Sequence, residues 1–286
     1  MDRAGRQQRP DRVRAARRIG GRPAARGARR NTPRHVTWPA VSWDQVPTLS
    51  SDALRQADVE ARSRFGIEPL QLMEIAGWQV ARFLDAYLQG LRGRHITVVA
   101  GSGNNGGDAL AAARFLHLGG AVVTASIVPP RDAGSLVAHH ATTVQRMGIP
   151  VREAPDGIER STDAVLDGLL GTGIRPPLRE PAPRIIDAMN ATGQPIVAID
   201  VPSGLDADTG MGADAAVRAA ATLSLAAPKP GLARAPNAGR VFVADLGMPR
   251  TLFGADGEAL ATLYALGDVV ELVQPELNSA RDLKPS

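Results

Sequence analysis

The stretch Val98 to Leu116, VVAGSGNNGGDALAAARFL, decides how the chain is read, because an apolar strand ending, a glycine-dense turn and an alanine-rich helix follow one another without a spacer. Gly101, Gly103, Gly106 and Gly107 leave the main chain free to approach a ligand, since a residue without Cβ occupies little room and tolerates unusual dihedrals. Asn104, Asn105 and Asp108 are short polar side chains set among these glycines. A bound ligand is the first hypothesis.

Working outward, the apolar run Ile96 to Ala100 is short enough for a parallel strand buried on both faces. Asp108 to Leu118 reads as a helix ended by Gly119-Gly120, Ala121 to Val128 as a strand stopped by Pro129-Pro130, and Ser135 to Met147 as a helix closed by Gly148. Val165 to Leu170 is a strand leading into Gly171-Thr172-Gly173. A helix around Arg184 to Asn190 leads to the strand Pro195 to Asp200, and Ala219 to Ala226 and Val241 to Asp245 read as further strands. This alternation predicts a three-layer α-β-α sandwich, with a Rossmann-like, mostly parallel sheet between helices. Upstream, a helix capped by Ser50 or Ser51 carries a stripe of Leu54, Ala57, Val59 and Ala61. A second starts near Pro69, and the two read as one N-terminal unit packed on the sheet. Met73, Trp78 and Phe83 read as core. Beyond Met248 the pattern weakens.

The net charge of +4 over 286 residues misleads about partners. Residues 1–35 hold twelve arginines against Asp2 and Asp11, an excess of ten positive charges, so the rest of the chain carries −6. Residues 1–40 are therefore set apart as an arginine-rich disordered tail, 41–275 as the functional domain and 276–286 as a polar C-terminal tail. The front segment lacks the apolar run of a secretory signal and the serines of a transit peptide. Aromatic residues make up 3% of the chain, too few for base-stacking platforms, so nucleic acid is not expected as a partner. The chain has no cysteine and no long apolar run, which excludes disulfides and thiolate metal sites. It also argues against a membrane span and agrees with a cytoplasmic protein.

In open parallel sheets ligands bind beyond the carboxyl ends of the strands. Three such ends here are rich in oxygen: Gly101 to Asp108, Asp167 to Gly173, and Asp200 to Gly204. If they converge, Asn105, Asp108, Asp167, Asp200 and Ser203 surround one pocket. Singly, each has a plainer explanation. Asp108 suits a helix N-terminus, and Asp167, Asp200 and Ser203 suit turn chemistry. Asp206 and Asp208 read as turn-formers. His139-His140 lies inside a helix without a matched carboxylate and reads as surface or packing. Gly101 to Gly106 also satisfies the G-x-G-x-x-G dinucleotide pattern, but the ribose-binding acid expected after the second strand is replaced by Val128-Pro129-Pro130.

GSGNNGGDALAAARFL, DGLLGTGIRPPL, AIDVPSGLDADTG, APKPGL and VADLGMP occur in that order. Together with the preceding LMEIAGWQVA, they resemble the YjeF N-terminal family of NAD(P)H-hydrate epimerases over roughly Leu49 to Met248. The resemblance implies that Asn104, Asn105, Gly106, Gly107 and Asp108 contact a damaged nucleotide, NADHX or NADPHX. It also implies that Gly171, Thr172, Gly173, Ile174, Arg175, Pro176, Pro177 and Asp200 line the substrate site. Asn105, Asp167 and Ser203 are implied as ligands of a potassium ion, K+; an oxygen-only set suits a hard, weakly charged cation. Asp200 is the favoured catalytic acid/base and Asp108 the second. Lys229, in Pro228-Lys229-Pro230-Gly231, reads either as a phosphate-binding charge or as a solvated loop residue. The resemblance further implies a homodimer and, as functional partner, an ADP- or ATP-dependent dehydratase on a separate chain.

The chain departs from the family pattern at Ala109, where glycine is usual, at Ser102, where proline is common, and at Gly168, where alanine is common. Two other functions stand beside the epimerase: a non-catalytic scaffold of the same fold, and an NAD(P)-dependent oxidoreductase.

Overall fold

The apolar run before the glycine turn is strand β2 (His95–Ala100), where the order of the sheet reverses. The molecule is described here by a computed structural model covering residues 37–174, 177–213 and 215–275. Residues 1–36 of the expected tail 1–40, the expected tail 276–286 and the loop residues Arg175 and Pro176 lie outside the described residues, whereas residues 37–40 are described and Ala40 begins the first strand.

The described strands are β1 (Ala40–Ser42), β2, β3 (Val122–Ile127), β4 (Val151–Glu153), β5 (Ala164–Gly168), β6 (Ile196–Ile199), β7 (Ala221–Leu225), β8 (Arg240–Ala244) and β9 (Val269–Val273). They form one sheet in the order β1-β9-β8-β7-β6-β5-β2-β3-β4. All neighbours run parallel except β8 and β9. The chain winds outward from β2 through β3 to β4, then returns to place β5 on the other side of β2. That reversal opens a crevice at the carboxyl ends of β2 and β5, where ligands of such sheets bind.

The helices are α1 (Ser51–Phe65), α2 (Pro69–Tyr87), α3 (Asn104–Leu118), α4 (Leu136–Arg146), α5 (Ala182–Asn190) and α6 (Gly257–Tyr264). Alternate residues of β2 point to opposite faces. Ile96, Val98 and Ala100 join the core made with α2, α3 and α4, while Val99 joins that of α5. Farther along the second face, α1 and α6 cover Val241, Val243 and Val270. The three-layer arrangement expected from the alternation is the one observed.

Several details differ from expectation, each for a physical reason. Helix α1 buries Ala57 and Ala61 with Val241 and Val243, while α2 buries Val80 and Phe83 against the other face, so the two helices are not one unit. Trp78 is 47% exposed and stacks edge-on against Phe115, whereas Met73 and Phe83 are core. Helix α3 begins at Asn104, four residues before the expected start. Glycines argue against helix on propensity, but Gly106 is obligatory here because a Cβ would run into the Gly101 carbonyl. The described fold also takes in Trp38, whose ring packs on Phe83 and Phe242.

Candidate functional site

The three oxygen-rich turns follow β2, β5 and β6, which are consecutive in the sheet. Their side chains therefore meet. Asp167, the fourth residue of β5, is fully buried. Ser203 donates to it twice, from its backbone N at 2.8 Å and from Oγ at 2.6 Å, and Leu169 N donates at 3.1 Å. Leu170 N donates to Ser203 Oγ at 2.8 Å, and Asn105 Nδ2 donates to Leu170 O at 2.8 Å and to Ile199 O at 3.2 Å. Asn105, Asp167 and Ser203 thus form one connected group, carried by α3, β5 and the turn after β6.

Two features of this group point to a missing positive charge. Burial pushes the Asp167 carboxyl up to about 6, against the hydrogen bonds from Ser203 and Leu169, which lower it. The buried Asn105 Oδ1 has no hydrogen-bond partner, although buried polar atoms are nearly always paired. A free amide oxygen beside a buried carboxylate and a hydroxyl fits a singly charged cation that takes oxygen ligands. Among the described residues no group of three or more His, Cys, Asp or Glu is placed to hold a metal ion, so the donor set does not suit a thiolate- or imidazole-bound metal.

Beside it lies a second group. Asp200, one residue past β6, has φ +69°, a left-handed conformation that costs a non-glycine residue about 1–2 kcal/mol. The turn brings its carboxylate onto Lys229, whose Nζ donates to Asp200 Oδ1 and, at 2.6 Å, to Leu225 O. Leu225 N donates to the same carboxylate oxygen at 3.2 Å. Lys229 is 1% exposed. Of its two expected positions, a solvated loop charge and a phosphate contact, the first does not match this burial; the ammonium sits under Asp200.

Asp108, half-buried, lies past the first turn of α3, which weakens its explanation as a helix-terminus charge. Its carboxyl is raised well above the usual carboxylate range by burial first, then by the charges of Asp200 and Asp58, with Lys229 acting in the opposite sense. Asp58 of α1, an exposed residue, was not picked out by sequence reasoning.

Gly171 packs on Asn105, where an added Cβ would meet the Asn105 Cβ at 3.2 Å. This sets Gly171 against the group, while Thr172, Gly173 and Ile174 follow it in the loop, with Pro177 described farther along. Asn104 is exposed, Gly106 and Gly107 are buried, and Gly103 caps α3 without a side-chain hydrogen bond. The first-turn amides of α3 are thus left uncapped by side chains. Strand β3 ends at Ile127 without an acid beside it, and Val128 and two prolines follow. The departures at Ala109 and Gly168 meet across the contact between α3 and β5: a Cβ on Gly168 would collide with that of Ala109, so the glycine on the strand makes room for the methyl group on the helix.

With this geometry in place, the chain was compared with known proteins. The family model described as YjeF-related protein N-terminus matches residues 69–231. The chain belongs to that family. The YjeF-related region holds every site residue named above except Asp58. A relative from Rhodopirellula baltica, named NAD(P)H-hydrate epimerase, is 33% identical over 73% of this chain and 87% of its own length. A relative from Hyperthermus butylicus, named bifunctional NAD(P)H-hydrate repair enzyme Nnr, is 40% identical over 68% of this chain but 37% of its own length. Among solved structures, yeast YNL200c is similar with a TM-score of 0.67 and 29% identity, covering 73% of this chain and 94% of that one.

The described residues also line an open groove of about 390 Å³ between Trp43, Arg234, Pro236, Arg240 and Gln274. It contains none of the YjeF-related site residues. No described helix is long and apolar enough to cross a membrane.

Proposed function

We propose that this chain interconverts the R and S forms of hydrated NADH and NADPH. The observation that carries the reading is the side-by-side placement of the Asp200–Lys229 ion pair, Asp108 and the Asn105–Asp167–Ser203 group at one sheet reversal. In the substrate, a hydroxyl sits on the ring carbon next to the ring nitrogen. The nitrogen lone pair can expel that hydroxyl as water once it is protonated, leaving a planar iminium. Water adding to the opposite face inverts the centre and releases one proton, so atoms and charge balance.

Asp108, whose carboxyl favours its protonated form, serves as the acid that protonates the leaving hydroxyl. Asp200, paired with Lys229, accepts the proton of the incoming water, and its charge stabilises the cationic ring. The uncapped amides at the start of α3, from Asn104 to Gly106, receive phosphate, since helix N-termini favour anions. Gly171, packed on Asn105, brings the start of the loop after β5 beside the ring. Asn105, Asp167 and Ser203 hold a potassium ion, which supplies the positive charge that buried Asp167 lacks and ties the loop after β5 to α3 and the turn after β6. The full reading includes a homodimer, a cytoplasmic setting and an S-specific dehydratase on a separate chain that consumes the product.

The test is to incubate the isolated R-hydrate with the protein and an S-specific dehydratase. Consumption of the R form faster than its spontaneous epimerisation is expected. A rate equal to the spontaneous one overturns the reading and leaves the scaffold alternative.

A further inference from the structure

The ends of the adjacent strands β6 and β7 are built alike. Asp200 follows β6 with φ +69°, and Val201 N donates across it to Ile199 O at 2.8 Å. Ala226 follows β7 with φ +63°, and Ala227 N donates across it to Leu225 O at 2.8 Å. Each is the centre of a three-residue turn of the positive-φ kind, which is rare and strained. Among the described residues three non-glycines have a positive φ, and two of them are these. Such strain persists only where the surroundings enforce it, and it gathers at functional sites. At Asp200 the turn aims a carboxylate. Ala226 has no functional side chain to aim, so its turn serves the backbone beside it: Leu225 O takes Lys229 Nζ at 2.6 Å, and Leu225 N donates to Asp200 Oδ1 at 3.2 Å.

The side chain that holds Ala226 comes from a distant helix. Tyr264, the last residue of α6, is buried and donates its hydroxyl to Ala226 O at 2.9 Å, with Ala244 O at 3.4 Å. Ala226 N donates to the same Ala244 O at 3.0 Å, so the strained residue is held through both its amide and its carbonyl. The Tyr264 ring is fixed in turn by Arg250, whose guanidinium lies 4.8 Å from the ring centroid and is paired with Asp245 at the end of β8. Burial first, then the Asp245 charge, raises the hydroxyl above the ordinary phenol range, with Arg250 acting in the opposite sense, so the group remains a donor. Tyr264 lies beyond the residues 69–231 that match the family model.

We infer that Tyr264 is a positioning residue of the epimerase site: its hydroxyl pins the strained turn at Ala226, and that turn seats the Lys229 ammonium against Asp200. The inference rests on the epimerase reading for its meaning in catalysis. Tyr264 touches no reacting atom and passes no proton. Without its hydroxyl the Ala226 carbonyl loses its donor, the turn relaxes toward negative φ, and Leu225 leaves the position from which its two main-chain groups meet Lys229 and Asp200. The base is then misplaced, and a shift of about 1 Å at a catalytic group can cost up to about a hundredfold in rate.

The experiment compares the full chain with Tyr264→Phe and with Tyr264→Phe/Ala226→Gly. In the single variant kcat should fall by about tenfold while KM stays within about twofold, since the base is displaced and the nucleotide contacts are not. Glycine takes a positive φ without steric cost, so the double variant should recover most of the lost kcat. Lys229 supplies a readout that needs no turnover: it is one of two lysines in the chain and 1% exposed, and its acylation by acetic anhydride can be followed on its own peptide by mass spectrometry. Well below the melting temperature, labelling of Lys229 should be roughly tenfold faster in Tyr264→Phe than in wild type, the factor one lost hydrogen bond represents, and slow again in the double variant. Unchanged kcat and unchanged labelling in Tyr264→Phe overturn the inference. So does a lower melting temperature with a loss of kcat that Ala226→Gly does not recover, because the hydroxyl then serves stability alone. Should the wild-type chain fail to epimerise at all, the proposed function falls, while the labelling of Lys229 still decides whether Tyr264 seats it.

Discussion

Two aspartates belonging to adjacent strand ends are satisfied in opposite ways. Asp167 of β5 is buried among neutral donors, two from Ser203 and one from Leu169. Asp200, past β6 and partly buried, is held against a buried ammonium. Burying a carboxylate is costly unless its charge is matched, and among the described residues only the second has its match. The difference is what the proposed division of labour requires: a site at Asp167 for a cation from outside, with Asn105 Oδ1 free beside it, and a carboxylate at Asp200 that already has its counter-charge and is proposed for proton transfer.

The strongest way to break this comparison is Asp200→Asn. Turnover should fall by about 10²–10⁴-fold, as when a general base is removed. The same change leaves Lys229 buried without its counter-charge, which should cost about 3–5 kcal/mol in denaturant unfolding. The double variant Asp200→Asn/Lys229→Met should regain most of the stability and none of the turnover. A single variant as stable as wild type would mean that the ammonium does not depend on Asp200.

At Asp167 the expected loss is smaller. Asp167→Asn keeps the volume but turns one acceptor oxygen into a donor facing Ser203 or Leu169, at about 1–3 kcal/mol. It should also abolish any rise in melting temperature on exchanging sodium for potassium, which native-state binding otherwise produces.

Smaller still is the packing between the two strand ends and α3. Gly168→Ala should cost about 1–3 kcal/mol by overpacking against Ala109. Combining it with Ala109→Gly should recover part of that, because the collision is with the Ala109 methyl. A double-mutant cycle measuring a coupling of about 0.5–3 kcal/mol would confirm the exchange. Additive effects would show that the two departures from the family pattern are unrelated.

The parts of the fold that were legible are those where local pattern and tertiary burial agree. Val98 to Ala100 form a run because both faces of β2 are covered, and Pro69 and Ser50 mark helix starts by the backbone groups they satisfy or omit. Strands β1 and β4 were missed because each has three residues and lies at a sheet edge, where no buried run is required. Helix α6 and β9 lie in the weakly patterned region after Met248. At the site, the oxygens on the turns could be read directly. The burial of Lys229 could not, since lysines are almost never fully buried unless paired, and its partner is 29 residues away.

The most direct measurement of the division between the two aspartates is the potassium-dependent change in melting temperature, taken with turnover, for Asp167→Asn and for Asp200→Asn/Lys229→Met. The account predicts that the Asp200 double variant has no turnover but keeps the full potassium response of the wild type, and that Asp167→Asn has lost that response. A response that survives without Asp167, or disappears with Asp200 and Lys229, would contradict it.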